Sequence, residues 1–229
     1  MIARAVALAS LIGGGAAEAH CHRPSHVLGY SRCEETAWWT QPITASMELS
    51  TSVLHLDASS IDATAPTADH QIHWAVPAGA RSLDAIGGGL AVRAGSDHWY
   101  VRIGAEVFSI VRGPPLVTSE TDGGVASANA GSIAQLTVGA GLHQNFGRFA
   151  AGFELDGGGR AASFTRAGGA ELQAPWQAAG IIEARATADI WFGPSLSIGA
   201  RIATDVLDLG SVTATLAFTL HALPFDGLN

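Results

Sequence analysis

Apolar and polar positions alternate one for one along most of the chain. From Ala45, the residues Ala45, Met47, Leu49, Thr51 and Val53 interleave with Ser46, Glu48, Ser50 and Ser52. Successive side chains of a β-strand point to opposite faces, so a period of two predicts a strand with one apolar and one polar face. The pattern recurs: Ile86, Leu90 and Val92 against Gly87, Gly89, Ala91 and Arg93, then Val101, Ile103, Ala105 and Val107 against Arg102, Gly104 and Glu106. It returns in Leu136, Val138, Ala140 and Leu142 against Gln135, Thr137 and His143, and in Phe149, Ala151, Phe153 and Leu155 against Gly152, Glu154 and Asp156. A hairpin over "IIEARATADIWFGPSLSIGARIA" sets Ile182, Ala184, Ile190, Ile198 and Ile202 against Glu183, Arg185, Asp189 and Arg201. "VTATLAFTLHAL" completes the series.

About eight strands are predicted. Their connections alternate between very short, at Gly95, Gly147 and Gly193, and long, after Asp57, Val111 and Asp156. The connection after Leu207 is intermediate. Residues 58–82 read as a long loop with a short hairpin extension around "HQIHWAV", and the Gly-rich stretch from Gly157 to Pro175 reads as another loop.

A sheet with one apolar and one charged face fits two situations. In a soluble barrel the charges face water and the apolar set encloses a ligand. In a membrane barrel the apolar set faces lipid and the charges line the lumen. Within the strand cores, Glu48, Arg93, Arg102, Glu106, Glu154, Glu183, Arg185, Asp189 and Arg201 all fall on one set of alternate positions, and the opposite set carries no charge. An Arg facing the bilayer midplane costs about 2–4 kcal/mol, so lipid enforces such segregation. The long–short rhythm of the connections is that of membrane barrels, and an even strand count leaves both ends on one side. Aromatic residues cluster at the predicted short-turn rim: Trp38, Trp39, Trp99, Tyr100, Phe146, Phe149, Trp191 and Phe192. Their rings suit a membrane interface. Interior charges in a narrow barrel must pair, so these side chains are expected to form a network that plugs the lumen.

Composition points the same way. Only 14% of residues are charged, against 48% hydrophobic, and Gly numbers 28. Soluble domains carry about 25% charged residues. The net charge of -8, with every basic residue an Arg, argues against nucleic acid as a partner. The start, "MIARAVALASLIGGGAAEA", has an early Arg4, an apolar run from Ala5 to Ile12 and an Ala17-Glu18-Ala19 cleavage pattern, the layout of a secretory signal. The expected organisation is a signal peptide over 1–19, a periplasmic segment over 20–42 and a barrel over 43–229. In an exported chain Cys21 and Cys33 are expected to form a disulfide, worth about 3 kcal/mol for a loop of this size.

The paired alternating strands, short turns and aromatic rim resemble the small eight-stranded outer-membrane β-barrels of Gram-negative bacteria. The opening "CHRPSHVLGYSRC" resembles that of a group of exported proteins in myxobacteria. The resemblance implies an all-β, antiparallel up-and-down transmembrane barrel in the outer membrane, with lipid and the barrel-assembly machinery as partners. It implies no particular activity. Such barrels commonly end on an aromatic residue, whereas this chain places Phe218 inside the last strand and continues to "PFDGLN".

Candidate chemistry is sparse. No G-x-S-x-G or H-E-x-x-H is present. The lumen carboxylates alternate with Arg, as in a paired core rather than an acid–base site. No enzyme and no cofactor are expected. Cleavage after Ala19 would leave His20-Cys21-His22 at the mature terminus. A free amine with His in third position forms a square-planar nitrogen set for Cu(II) or Ni(II), which makes His20 and His22 candidate metal ligands. The expected role is a structural or loop-presenting outer-membrane barrel; the alternatives are a soluble periplasmic barrel for a small apolar ligand and a narrow conduit.

Overall fold

The computed structural model describes residues 44–221 apart from short segments at 67–68, 78, 80–81, 96–97, 119–124, 147–148, 168–174 and 194–195. The expected Cys21–Cys33 disulfide, the His20/His22 site, Trp38, Trp39 and the signal and linker boundaries lie outside the described residues. The strands are β1 (Thr44–Asp57), β2 (Asp62–Pro66), β3 (Gln71–Ala75), β4 (Ser82–Gly95), β5 (Trp99–Arg112), β6 (Pro115–Leu116), β7 (Val125–Phe146), β8 (Phe149–Ala167), β9 (Trp176–Gly193), β10 (Leu196–Asp205) and β11 (Val212–His221).

Eight of them form a closed antiparallel barrel. Each long strand pairs with the next long strand in the chain, β9 pairs β10, and β11 returns to β1. Closure leaves this ring without an exposed edge. The short connections lie at one end, together with the start of β1 and the end of β11; we call this the turn end and the opposite one the capped end.

The glycine-rich stretch after Asp156 and the start of β7 from Val125, both read as loop, are strand, and the hairpin expected around "HQIHWAV" is present. β8 runs on through "GGGRAASFTRA" to Ala167, paired with β7 on one side and β9 on the other. Glycine has low strand propensity, which is why the sequence reads as a loop; two flanking partners supply the missing preference. Within 58–82, a 3-10 turn at Ala58–Ser60 leads into a β2–β3 hairpin, with Ala63 opposite Trp74 and Ala65 opposite Ile72. This hairpin docks at the capped end, where Thr64 pairs Trp176 of β9 and Ala75 pairs Val117 beyond β6. β6 in turn pairs β7. A second, smaller ring therefore runs β3–β2–β9–β8–β7–β6, stacked on the first.

The two storeys have opposite polarity. In the eight-strand storey the inward residues are mostly charged or hydroxylic, with Gln135 and small Ala and Gly among them, and Met47, Leu49, Ile103, Val138, Leu142, Phe153 and Ile202 are exposed on the outside. In the capped storey Leu54, Leu83, Phe108, Ile110, Leu116, Ile133 and Phe164 point inward and form one apolar core with Ala63, Ala65, Ile72 and Trp74 of the hairpin. The outward positions there carry Asp62, His73, His55 and Asp84, interspersed with exposed Val111, Val117 and Trp176. Individual strands cross the boundary: β5 passes from Arg102 and Glu106 to Phe108 and Ile110, β1 from Glu48 and Ser52 to Leu54, and β7 from Thr137 and Gln135 to Ile133.

The aromatic rim is only partly on the outside. Phe146, Phe149 and Phe192 are exposed. Tyr100 and Trp191 share parity with Arg102 and Asp189, so alternation turns them inward, where both are buried. They floor the lumen at the turn end: Trp191 stacks on His221 at 4.0 Å between ring centroids, and Tyr100 meets His143 at 5.3 Å.

Candidate functional site

The candidate site is the polar lumen of the eight-strand storey. Alternation on eight closed strands delivers every inward side chain to one narrow space, so residues far apart in sequence meet there. Glu48, Arg93, Arg102, Glu106, Glu154, Glu183, Arg185 and Arg201 are each buried, and the Asp189 side chain is 13% exposed.

Most of these groups form a continuous ion-pair network. Arg93 Nη2 lies 2.8 Å from both Glu48 Oε2 and Glu154 Oε1, bridging two carboxylates. Arg201 Nη2 reaches Glu48 Oε2 at 3.1 Å and Asp189 Oδ1 at 2.7 Å. Arg185 pairs with Glu183 at 2.9 Å and contacts Glu154 and Asp156 at 3.5 Å. Arg102 donates from Nη1 to Asp156 and to Thr137 Oγ1, both at 3.2 Å. The Tyr100 hydroxyl donates to Glu154 at 2.6 Å, and the Arg93 guanidinium sits 4.8 Å from the Tyr100 ring centre. A buried charge is tolerated when it is paired and hydrogen-bonded, and here each pair shares a member with the next.

Glu106 departs from the expectation. It was placed in the network, yet it makes no ion pair among the described residues. It accepts a hydrogen bond from Ser52 Oγ at 3.0 Å, and Ser52 is 2.9 Å from Thr215 Oγ1. Glu106 is the last polar inward residue on β5 before Phe108, in the layer of Ser52 and Gln135.

Three members of the site were not singled out from sequence. Asp156 was seen as inward but not as a partner of Arg102 and Arg185. Arg160 and Asp205 lay in or beside presumed loops. Arg160 donates from Nε to Gln135 at 3.0 Å and pairs with Glu183 at 3.4 Å, and Asp205 accepts from the Leu207 N–H at 3.0 Å. Extending the parity of Glu154 and Asp156 up β8 would have pointed to Arg160.

Inward glycines supply room for these side chains. A Cβ at Gly104 would stand 2.7 Å from Arg102 Nη1. One at Gly139 would run into the Asp156 carboxylate, and one at Gly199 into both Asp189 and Arg201. Part of the glycine content is therefore the negative image of the charge network. At the turn end, Ser197 Oγ lies 3.0 Å from His221 Nε2. Ser197 is buried and His221 partly exposed at the turn end. Among the described residues, no group of three metal-ligating side chains is assembled.

No family model matches the chain, and no curated protein matches it. Solved structures similar to it include Ail, the attachment invasion locus protein of Yersinia pestis, at 13% identity and a TM-score of 0.42, covering 77% of this chain and 97% of that one. Neisserial surface protein A matches at 10% identity and a TM-score of 0.44, over 78% and 98% of the two chains. The N-terminal β-barrel domain of Pseudomonas aeruginosa OprF matches at 11% and 0.40, over 77% and 97%. All three are barrels, and the likeness concerns fold alone.

Proposed function

We propose that this protein is an outer-membrane β-barrel that acts as a sealed, structural support for its capped storey and the adjoining loops. One observation carries the reading: the interior changes from charged to apolar at one level, and among the described residues outward charged side chains appear only above it. Below it, leucine, isoleucine, valine and phenylalanine lie outside and charges lie inside, as lipid demands. Above it, the core is inside and Asp62, His73 and Asp84 are outside, as water demands. A barrel wholly in water has no use for the lower pattern, since its largest apolar side chains would stand exposed. A barrel wholly in lipid has none for the upper.

The interior supports a sealed rather than a conducting role. Eight strands leave a lumen just wide enough for side chains to fill. Here cross-wall ion pairs fill it and an apolar core stops one end. The capped storey is then the part offered to partners, in keeping with function residing on segments held by a rigid frame. The proposal includes export by the amino-terminal signal and insertion by the barrel-assembly machinery, with lipid around the apolar band. Fractionation of cells expressing the full chain tests it. The protein is expected with the outer membrane and is expected to run faster on gels unboiled than boiled. Recovery in the soluble periplasm contradicts it.

A further inference from the structure

The strands of the main ring stop at different heights. β7, β8 and β9 run for 22, 19 and 18 residues and rise into the capped storey, whereas β10 and β11 have 10 each. Val212, which opens β11, pairs with His55, where the outer face of β1 turns polar. The β10–β11 loop, residues 206–211, therefore lies at the boundary between the storeys. Its backbone is pinned. The Val206 N–H donates to the Ile182 carbonyl at 2.6 Å and the Leu207 N–H to Asp205 Oδ1 at 3.0 Å. The Ser211 N–H donates to the Asp208 carbonyl at 2.9 Å. Asp208 turns its carboxylate back into the loop, accepting from the Gly210 N–H at 3.2 Å and from Ser211 Oγ at 2.6 Å. On this frame Leu207 is 65% exposed and Leu209 75% exposed.

A single exposed leucine needs no explanation. Here two stand on one pinned loop, and with Val206 they continue the outward apolar side chains of the same two strands, Ile202, Val212 and Leu216. An exposed apolar patch of this kind marks a contact surface. We propose that the β10–β11 loop is a membrane anchor: Leu207 and Leu209 enter the leaflet on the capped side, at the upper edge of the apolar band, and fix the depth at which the barrel sits. The inference rests on the outer-membrane reading. Lipid is the occupant for two reasons. The patch is continuous with the band that faces lipid and ends at the same level. The loop also brings few free polar groups with it, because the N–H groups of Val206, Leu207, Gly210 and Ser211 are already bonded within the protein. Backbone groups satisfied internally are what entry into a bilayer requires.

The test uses the full chain in lipid vesicles, with Cys21→Ser and Cys33→Ser as background. Leu207→Cys, Leu209→Cys, Ile103→Cys and His73→Cys, one at a time, carry a small fluorophore, and faster gel mobility unboiled than boiled shows that each barrel is folded. Labels at Leu207 and Leu209 are expected to be quenched several-fold more by lipids with a nitroxide near the headgroup than by iodide in the water. The label at Ile103 should be quenched by lipids with a nitroxide deep in the acyl chain, and that at His73 by iodide alone. Iodide quenching at Leu207 and Leu209 equal to that at His73, with Ile103 still quenched by lipid, overturns the anchor and leaves the outer-membrane reading standing. Shielding of both leucine positions from lipid and iodide alike means that protein, such as a second copy of this chain, covers the loop, and also overturns the anchor. Loss of lipid quenching at Ile103 as well overturns the outer-membrane reading and the anchor with it.

Discussion

Arg93 and Glu154 join opposite walls of the barrel: 2.8 Å separates Nη2 from Oε1, and their strands, β4 and β8, have β5 and β7 between them. Backbone pairing holds each strand only to its neighbours. A contact of this kind spans the lumen, and Arg201 of β10 with Glu48 of β1 adds a link that reaches past β11 alone. The network thus braces the barrel from within as well as filling it.

Removing both members of that brace should cost little more than removing one. Arg93→Ala leaves Glu48 and Glu154 short of a cation, and Glu154→Ala strips an acceptor from Arg93, Arg102, Arg185 and Tyr100. Each single change is expected to cost about 3–5 kcal/mol, the range for an uncompensated buried charge. The double variant should cost clearly less than the sum. Urea unfolding in lipid vesicles measures this. Additive effects near zero would mean that the side chains are solvated independently.

The outside of the barrel should tolerate charge on one storey and reject it on the other. Ile103→Arg, in the middle of the apolar band, is expected to cost about 2–4 kcal/mol in lipid. His73→Arg, on the outer face of the hairpin, is expected to stay within about 0.5 kcal/mol of the parent, as at an ordinary surface site. Equal tolerance at the two positions in the same unfolding assay would place both in the same medium.

Two glycines should respond in opposite senses. A Cβ at Gly139 meets the Asp156 carboxylate and the backbone of β8, whereas one at Gly157 meets nothing within 4 Å. Gly139→Ala is expected to destabilise by about 1–3 kcal/mol through overpacking. Gly157→Ala should be neutral or stabilise by up to about 1 kcal/mol, since alanine loses less backbone freedom in a strand. Thermal or urea midpoints of the two variants decide it.

The alternation of Glu48, Arg102, Glu154, Arg185 and Arg201 was enough to read the strands, their number in the main ring and the sidedness of the charges. A period of two is a local property and survives in any single stretch of sequence. The capped storey was not legible for the same reason. Phe108 and Ile110 share the parity of Arg102 and Glu106, so parity marks them as inward, but the change from a polar to an apolar interior at that level depends on the β2–β3 hairpin docking between β6 and β9. The partners within the lumen were equally hidden. Which guanidinium meets which carboxylate depends on strand order and register around the closed ring, so Glu106 could be assigned a face but not its Ser52 partner. Gly157, Gly158 and Gly159 hid a strand because their conformation comes from β7 and β9, not from their own preference.

The inversion of polarity is the centre of the account, and collision accessibility of spin labels tests it most directly. Single cysteines at Val101, Ile103, Val138, Ser132 and His73, in a background lacking Cys21 and Cys33, would carry nitroxides on the protein in lipid bilayers. The account predicts that labels at Val101, Ile103 and Val138 are relaxed by oxygen and shielded from a water-soluble nickel chelate, while those at Ser132 and His73 show the reverse. Nickel access at Ile103 and Val138 equal to that at His73 would contradict it, because the apolar band would then face water.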